Sequence, residues 1–235
     1  MEVRLKMQKN QRTKILVTLS MLTAVAFIMG ALIRVRGIMP GAAFLTYDAK
    51  DVGILLGGFI FGPAAALLMS VVLALLEMVT ISDSGPIGAL MNMITSASFT
   101  CTAAFVYKKT RSLKGAVAGL ALGTVAVTAV ALMWNYVMIP IYQPWISRQM
   151  VANLILPALL PFNLIKSVLN AALAMMLYRH VRFALDKARL IPRVDDSQTD
   201  DGAVSSKKKN NAVLFVSVFV IVTIVVILLA LRGIL

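Results

Sequence analysis

The sequence predicts an all-α integral membrane protein, a six-helix bundle followed by one additional C-terminal transmembrane helix. Two observations carry this. The chain of 235 residues is 60% hydrophobic, with a mean hydropathy of +0.87, against roughly 45–50% apolar usage in soluble domains. Its apolar residues gather into spans near 15–33, 52–62, 63–80, 87–107, 116–139, 154–178 and 212–231, and a membrane crossing needs about 20 residues. The second of these is short and the last is the cleanest. A third observation, the placement of the basic residues, fixes an orientation.

Arg4, Lys6, Lys9, Arg12 and Lys14 precede the first span, Lys108, Lys109, Arg111 and Lys114 lie between the fourth and fifth, and eight more cations lie between Arg179 and Lys209. These are alternate connections, so the positive-inside rule puts all three in the cytoplasm. Residues 1–14 then form a cytoplasmic N-terminus and 15–186 a membrane domain. The first span is too long for a cleaved leader and is expected to stay in the mature protein. The stretch 187–211, which includes "DDSQTDDGAVSSKKKNN", is a polar cytoplasmic linker unable to build a core. Residues 212–231 form the additional crossing, read as a lipid-facing anchor, and leave the C-terminus outside the cell membrane.

A formal charge of +13 can signal nucleic acid, but solvated inner loops explain it here without a nucleic-acid partner. No Gly-Lys dipeptide occurs, so no phosphate-cradling P-loop is present, and H-E-x-x-H, G-x-S-x-G and G-x-G-x-x-G are also missing. Cys101 is the only cysteine and His180 the only histidine. A packing residue and an interfacial one account for them without a metal site. The chain reads as no enzyme and as needing no cofactor; if it moves a solute uphill, the energy comes from elsewhere.

What needs explaining is a set of polar groups among the apolar spans. In "LPFNLIKSVLN" (160–170), Asn163, Lys166 and Asn170 fall on one helical stripe. Pro157 and Pro161 place the start of the regular helix near Leu160, so Lys166 sits ~9 Å inside the outer boundary. A lysine alone can snorkel, but two asparagines on the same stripe point to a water-accessible pocket open to the outside. The fifth span ends in "WNYVMIPIYQPW" (134–145), where Tyr142 and Trp145 suit a headgroup belt. Asn135 there suits the hydrogen-bonded edge of a stacked planar ring. Asn92 is a further candidate for the outer cavity.

The outer connection "RVRGIMPGAAFLTYDAKD" (34–51) is interrupted by Gly37, Pro40 and Gly41, while Phe44, Leu45 and Tyr47 are apolar for a solvated loop. It reads as a lid over a cavity or as a loop lying on the membrane. Asp48, Lys50 and Asp51 either pair among themselves or supply, through Asp48, the counter-ion of a buried lysine. Glu77 is read as an interfacial or helix-pairing carboxylate. Gly115, Gly119 and Gly123 recur every fourth residue, the spacing of close helix packing. Thr23, Ala26 and Gly30 share a face of the first span, with Ala24 beside it, suited either to internal packing or to docking on another membrane protein.

"FLTYDAKDVGILLGGFIFGPAAALLMSVV" (44–72), "WNYVMIPIY" (134–142) and "LPFNLIKSVLN" (160–170) together resemble the riboflavin-specific substrate-binding subunit, or S component, of energy-coupling factor (ECF) transporters. The "GGFIFGP" run is common to S components for different vitamins, while the Asn-Tyr-x-x-x-Pro-x-Tyr and Asn-x-x-Lys runs are closer to the riboflavin branch. The resemblance spans residues 15 to about 182. It implies a bacterial six-helix bundle in the lipid bilayer that captures riboflavin from outside. Its partners would be a membrane coupling (T) subunit and two ATPase subunits. It implies substrate contacts from Asn135, Asn163 and Lys166 and from Leu45 and Thr46 in the lid; the reading of the residues adds Tyr47, Asn92 and Asn170 as candidates for the same cavity. It also implies docking on the coupling subunit through Ala24, Ala26 and Gly30. An S component for thiamin or pantothenate, and a secondary transporter acting alone, are the alternatives. The seventh span departs from the family pattern, which ends after six.

Overall fold

The structure is a computed structural model describing residues 2–39, 42, 44–81, 85–188, 190–191, 217–218 and 221–222. Helix α1 (Glu2–Leu32) leads into a short hairpin of β1 (Arg34–Arg36) and β2 (Thr46–Asp48). The strands are antiparallel, with Arg34 opposite Asp48, Val35 opposite Tyr47 and Arg36 opposite Thr46. Then follow α2 (Lys50–Phe61), α3 (Pro63–Thr80), α4 (Gly85–Thr110), α5 (Leu113–Tyr142), α6 (Arg148–Leu154), a π-helical turn (Ile155–Leu159) and α7 (Leu160–Lys187). Among the described residues, five helical stretches are long and apolar enough to cross a membrane: those within α1, α3, α4 and α5, and the continuous 148–187.

Helix α2 has 12 residues and spans ~18 Å, too short for the ~30 Å hydrocarbon core. Its environment explains why it is nonetheless apolar: every residue from Lys50 to Phe59 is buried, with α1, α3, α4 and α7 packed around it. Three small residues permit this. A Cβ added at Gly53 would fall on Ala26 of α1, and one at Gly58 would stand 3.0 Å from Ala66 and 3.1 Å from Ala104. Gly62, at φ 97°, makes the turn from α2 into α3, whose first residue is Pro63. The "GGFIFGP" run is therefore a packing and turning device.

The glycine run of α5 behaves as its spacing predicts. A Cβ at Gly119 would lie 2.7 Å from the Ala103 carbonyl oxygen and one at Gly123 2.7 Å from that of Phe99. Gly115 instead faces Thr110, the last residue of α4. The α4 and α5 backbones thus approach to a distance that side chains would prevent. Ser112 caps α5, its hydroxyl accepting from the Gly115 amide at 3.0 Å. Near the α2–α3 turn, Phe59, Tyr107 and Tyr178 form a tilted aromatic cluster, and Arg182 donates to the Tyr178 hydroxyl at 3.0 Å. Cys101 is half-buried beside the Pro63 carbonyl, as a packing residue.

Regular α-helix begins at Leu160 between Pro157 and Pro161, as expected, and helical structure also continues upstream through the π turn to Arg148. Proline lacks the N–H and crowds the carbonyl a turn earlier, and the wider π turn accommodates it. Residues 34–36 and 46–48 form a hairpin rather than a loop throughout. Lastly, most of the seventh span lies outside the described residues. Of its four described positions, Ser217 is buried and Ile221 packs against the cluster of Tyr47, Phe162 and Leu169. Ser217 and Ile221 thus face the bundle, while Val218 and Val222 are exposed.

Candidate functional site

The loop between the strands folds inward because its apolar side chains have a core to enter. Ile38, Met39, Ala42, Leu45 and Tyr47 are buried together with Ile139 of α5, Val151 of α6, Ala158 and Leu159 of the π turn, and Phe162 and Leu169 of α7. Leu45 is 5% exposed and Thr46 half-buried. The loop thus caps the ends of α5 and α7 that carry the candidate amides.

Strand β2 is tied to α7 by three polar contacts. The Lys166 ammonium donates to Asp48 Oδ2 at 2.8 Å, the Tyr47 hydroxyl donates to Asn170 Oδ1 at 3.0 Å, and Asn170 Nδ2 donates to the Asp48 carbonyl at 3.2 Å. Asn170 has no exposed surface, so losing either partner would strand a polar atom in the core. The open choice at Asp48 is thereby settled: it is the counter-ion of Lys166, whose side chain keeps 19% exposure against 11% for Asp48. Burial pushes the Asp48 carboxyl up, but the Lys166 and Lys50 ammonium groups outweigh it and hold the group down at about 2. Burial also pushes the Tyr47 hydroxyl up, so it stays a neutral donor to Asn170. Asp48 Oδ1 and Trp134 Nε1 are buried without a hydrogen-bond partner, and both flank the candidate residues.

Asn163 and Asn135 are oriented by their own helices. Asn163 Nδ2 donates to the Leu159 carbonyl and Asn135 Nδ2 to the Ala131 carbonyl, each at 2.7 Å. Anchoring one N–H fixes the amide plane and leaves its oxygen as an acceptor. Asn163 stands three residues before Lys166 on α7, and Asn135 lies one turn before Ile139 of the capped cluster. Asn135, Asn163, Lys166 and Asn170 and the strand Thr46–Asp48 therefore converge at one end of the bundle. Trp145 is 74% exposed at that end, as an interfacial belt residue would be.

Other expected site residues are placed elsewhere. Asn92 Nδ2 donates to Glu77 Oε2 at 3.0 Å, and the same oxygen accepts from Lys50 at 2.6 Å. Asn92 thus belongs to a helix-pairing group that joins α2, α3 and α4, which is also where Glu77 acts. Asp51 accepts from the Ser96 hydroxyl at 2.6 Å, and Arg34 donates to the Ile81 carbonyl at 2.7 Å. Ala26 has no exposed surface and packs on Gly53. Gly30 is buried against Lys50, whose Cβ would stand 3.0 Å from an added Cβ. These two small residues serve internal packing and cannot face a partner; of the docking set, Ala24 alone is exposed. Period alone could not separate the two faces of α1, because both are apolar.

The family model "ECF transporter, substrate-specific component" matches residues 14–178. The riboflavin transporter RibU of Staphylococcus aureus (strain TCH60) is 35% identical over 183 residues, covering 76% of this chain and 94% of that protein. The riboflavin transporter FmnP of Bacillus subtilis (strain 168) is 28% identical over 187 residues, covering 76% and 97%. A solved structure described as the S component of a bacterial ECF transporter superposes with a TM-score of 0.62 at 34% identity, covering 74% of this chain and 98% of that one. A convergent polar site at one end of a helical bundle is what a substrate-binding membrane subunit requires, and the chain belongs to the family of ECF transporter substrate-specific components.

Proposed function

We propose that this protein binds riboflavin at the outer face of a bacterial cell membrane and carries it inward as the S component of an ATP-driven ECF transporter. The observation that carries the reading is the convergence of Asn135, Asn163 and Lys166 under the 37–45 loop, in a chain 35% identical to a riboflavin transporter. Riboflavin is neutral, planar at one end and polyhydroxylated at the other. Apolar walls from Leu45, Ile139 and Phe162 suit the ring, oriented amides suit its polar edge, and the Lys166 ammonium supplies donors for carbonyl or hydroxyl oxygens.

Transport on this reading uses a membrane coupling subunit and two ATPase subunits as partners. The docking surface is the exposed side of α1, where Ala24 is flanked by Met21, Val25 and Ile28. The topology is six crossings plus one, with the short α2 counted as a crossing carried inside the bundle, a cytoplasmic N-terminus, a polar linker over 187–211 and an outer C-terminus. Competition binding with a panel of riboflavin, thiamin and pantothenate tests the substrate. Riboflavin alone should be held tightly by the purified protein, and preference for another vitamin would overturn the assignment. Flux in vesicles containing this chain alone would point instead to a transporter without ATPase partners.

A further inference from the structure

The charge of Lys166 is already matched by a carboxylate. Asp48 on β2, Asp51 on α2 and Glu77 on α3 are carboxylates, and Lys50 on α2 is an ammonium; all four residues are buried. Lys166 on α7 is the second ammonium. Lys50 is engaged by Glu77 at 2.6 Å and Lys166 by Asp48 at 2.8 Å. Asp51 has a hydroxyl partner, Ser96, rather than an ion pair. Arg34 gives its guanidinium to the Ile81 carbonyl, and the Tyr47 hydroxyl donates to Asn170. The positive charge that Lys166 would offer an anionic ligand is therefore already matched by Asp48.

We infer that Asp48 sets the charge class of the substrate, making the site a receptor for a neutral polyhydroxylated flavin and a poor one for the same flavin carrying a phosphate ester. The inference rests on the riboflavin reading above. Paired with Asp48, the Lys166 ammonium still has N–H donors for neutral oxygens. Asp48 Oδ1, buried and unpartnered, accepts from a hydroxyl or ring N–H, which a neutral flavin supplies. A phosphate brings about −1.5 to −2 of charge at neutral pH. That charge meets a lysine already paired with Asp48, and its repulsion by the Asp48 carboxylate is weakly screened because the pair is mostly buried. Asp48 acts here as a specificity-determining residue for the proposed transport function.

The test measures the affinities of wild type, Asp48→Asn and Asp48→Glu for riboflavin and for flavin mononucleotide, by flavin fluorescence in detergent. Wild type should prefer riboflavin by about ten-fold or more. Asp48→Asn should shrink that preference by about ten-fold, while Asp48→Glu, which keeps the charge, should retain it. If Asp48→Asn weakens both ligands by the same factor, Asp48 is only structural and the inference fails. A second measurement needs no variant. Between pH 7.5 and about 5 the phosphate gains a proton, its second pKa being near 6, so the wild-type preference should narrow several-fold. A pH-independent ratio would overturn the inference, as would equal wild-type affinity for the two flavins. Both of those results leave the riboflavin reading intact. Failure to bind either flavin removes the riboflavin reading and this inference with it.

Discussion

Replacing Lys166 by Met is the most informative single perturbation, because it removes the charge while keeping most of the stem. The variant leaves Asp48 buried opposite an apolar chain end, with Oδ1 already lacking a partner. Breaking a fully buried pair costs about 3–5 kcal/mol, and exposed pairs are worth about 0–1 kcal/mol. With side-chain exposures of 19% and 11% the Lys166–Asp48 pair is nearer the buried limit, and a loss of about 2–3 kcal/mol follows. Unfolding of the ligand-free protein in detergent reads this directly. The double variant Lys166→Met with Asp48→Asn should regain at least about 1 kcal/mol, since the stranded charge is gone. Riboflavin affinity should fall ten-fold or more, at least about 1.4 kcal/mol, in the single variant, and should stay low in the double. A Lys166→Met protein as stable as wild type would refute the claim that this pair ties β2 to α7. Binding restored in the double variant would mean that Lys166 acts only through Asp48.

Other consequences concern neighbouring contacts. Asn170→Leu strands the Tyr47 hydroxyl and the Asp48 carbonyl and should cost about 2–3 kcal/mol in the same unfolding assay. Glu77→Leu leaves Lys50 buried without its partner and should cost about 3–5 kcal/mol, whereas Glu77→Gln should be milder. Because Asp48 is held near 2 against an ordinary 3.8, its contribution is complete above about pH 4 and disappears as pH falls towards 2, a loss of about 2 kcal/mol. The Asp48→Asn protein should lack that component of acid destabilisation. On α1, Ala24→Trp should abolish uptake in cells while leaving riboflavin binding unchanged. Ala26→Trp should instead prevent folding, since Ala26 packs on Gly53; normal binding by that variant would contradict its buried placement.

Much of this was legible in the sequence for a physical reason. In lipid the backbone must satisfy itself, so apolar runs translate directly into helices, and the run 63–80 coincides with α3. An isolated Lys166 with asparagines at helical spacing could only face polar company, and it does. The pairing of Asp48 with Lys166 spans 118 positions, and nothing local chooses between that lysine and Lys50. Three-residue strands such as Thr46–Asp48 are too short for alternation to register. The inward direction of Ala26 and Gly30 was hidden because both faces of a membrane helix are apolar. That leaves the small residues of α1 legible as a packing surface but not as to which partner they pack against.

The most direct test of the central claim is an absorption spectrum of the purified, detergent-solubilised protein followed by a riboflavin titration. Flavin bands in the purified protein, or stoichiometric quenching of riboflavin and tryptophan fluorescence, is the expected result. A colourless protein whose fluorescence is indifferent to riboflavin would contradict the account and leave only the S-component scaffold standing.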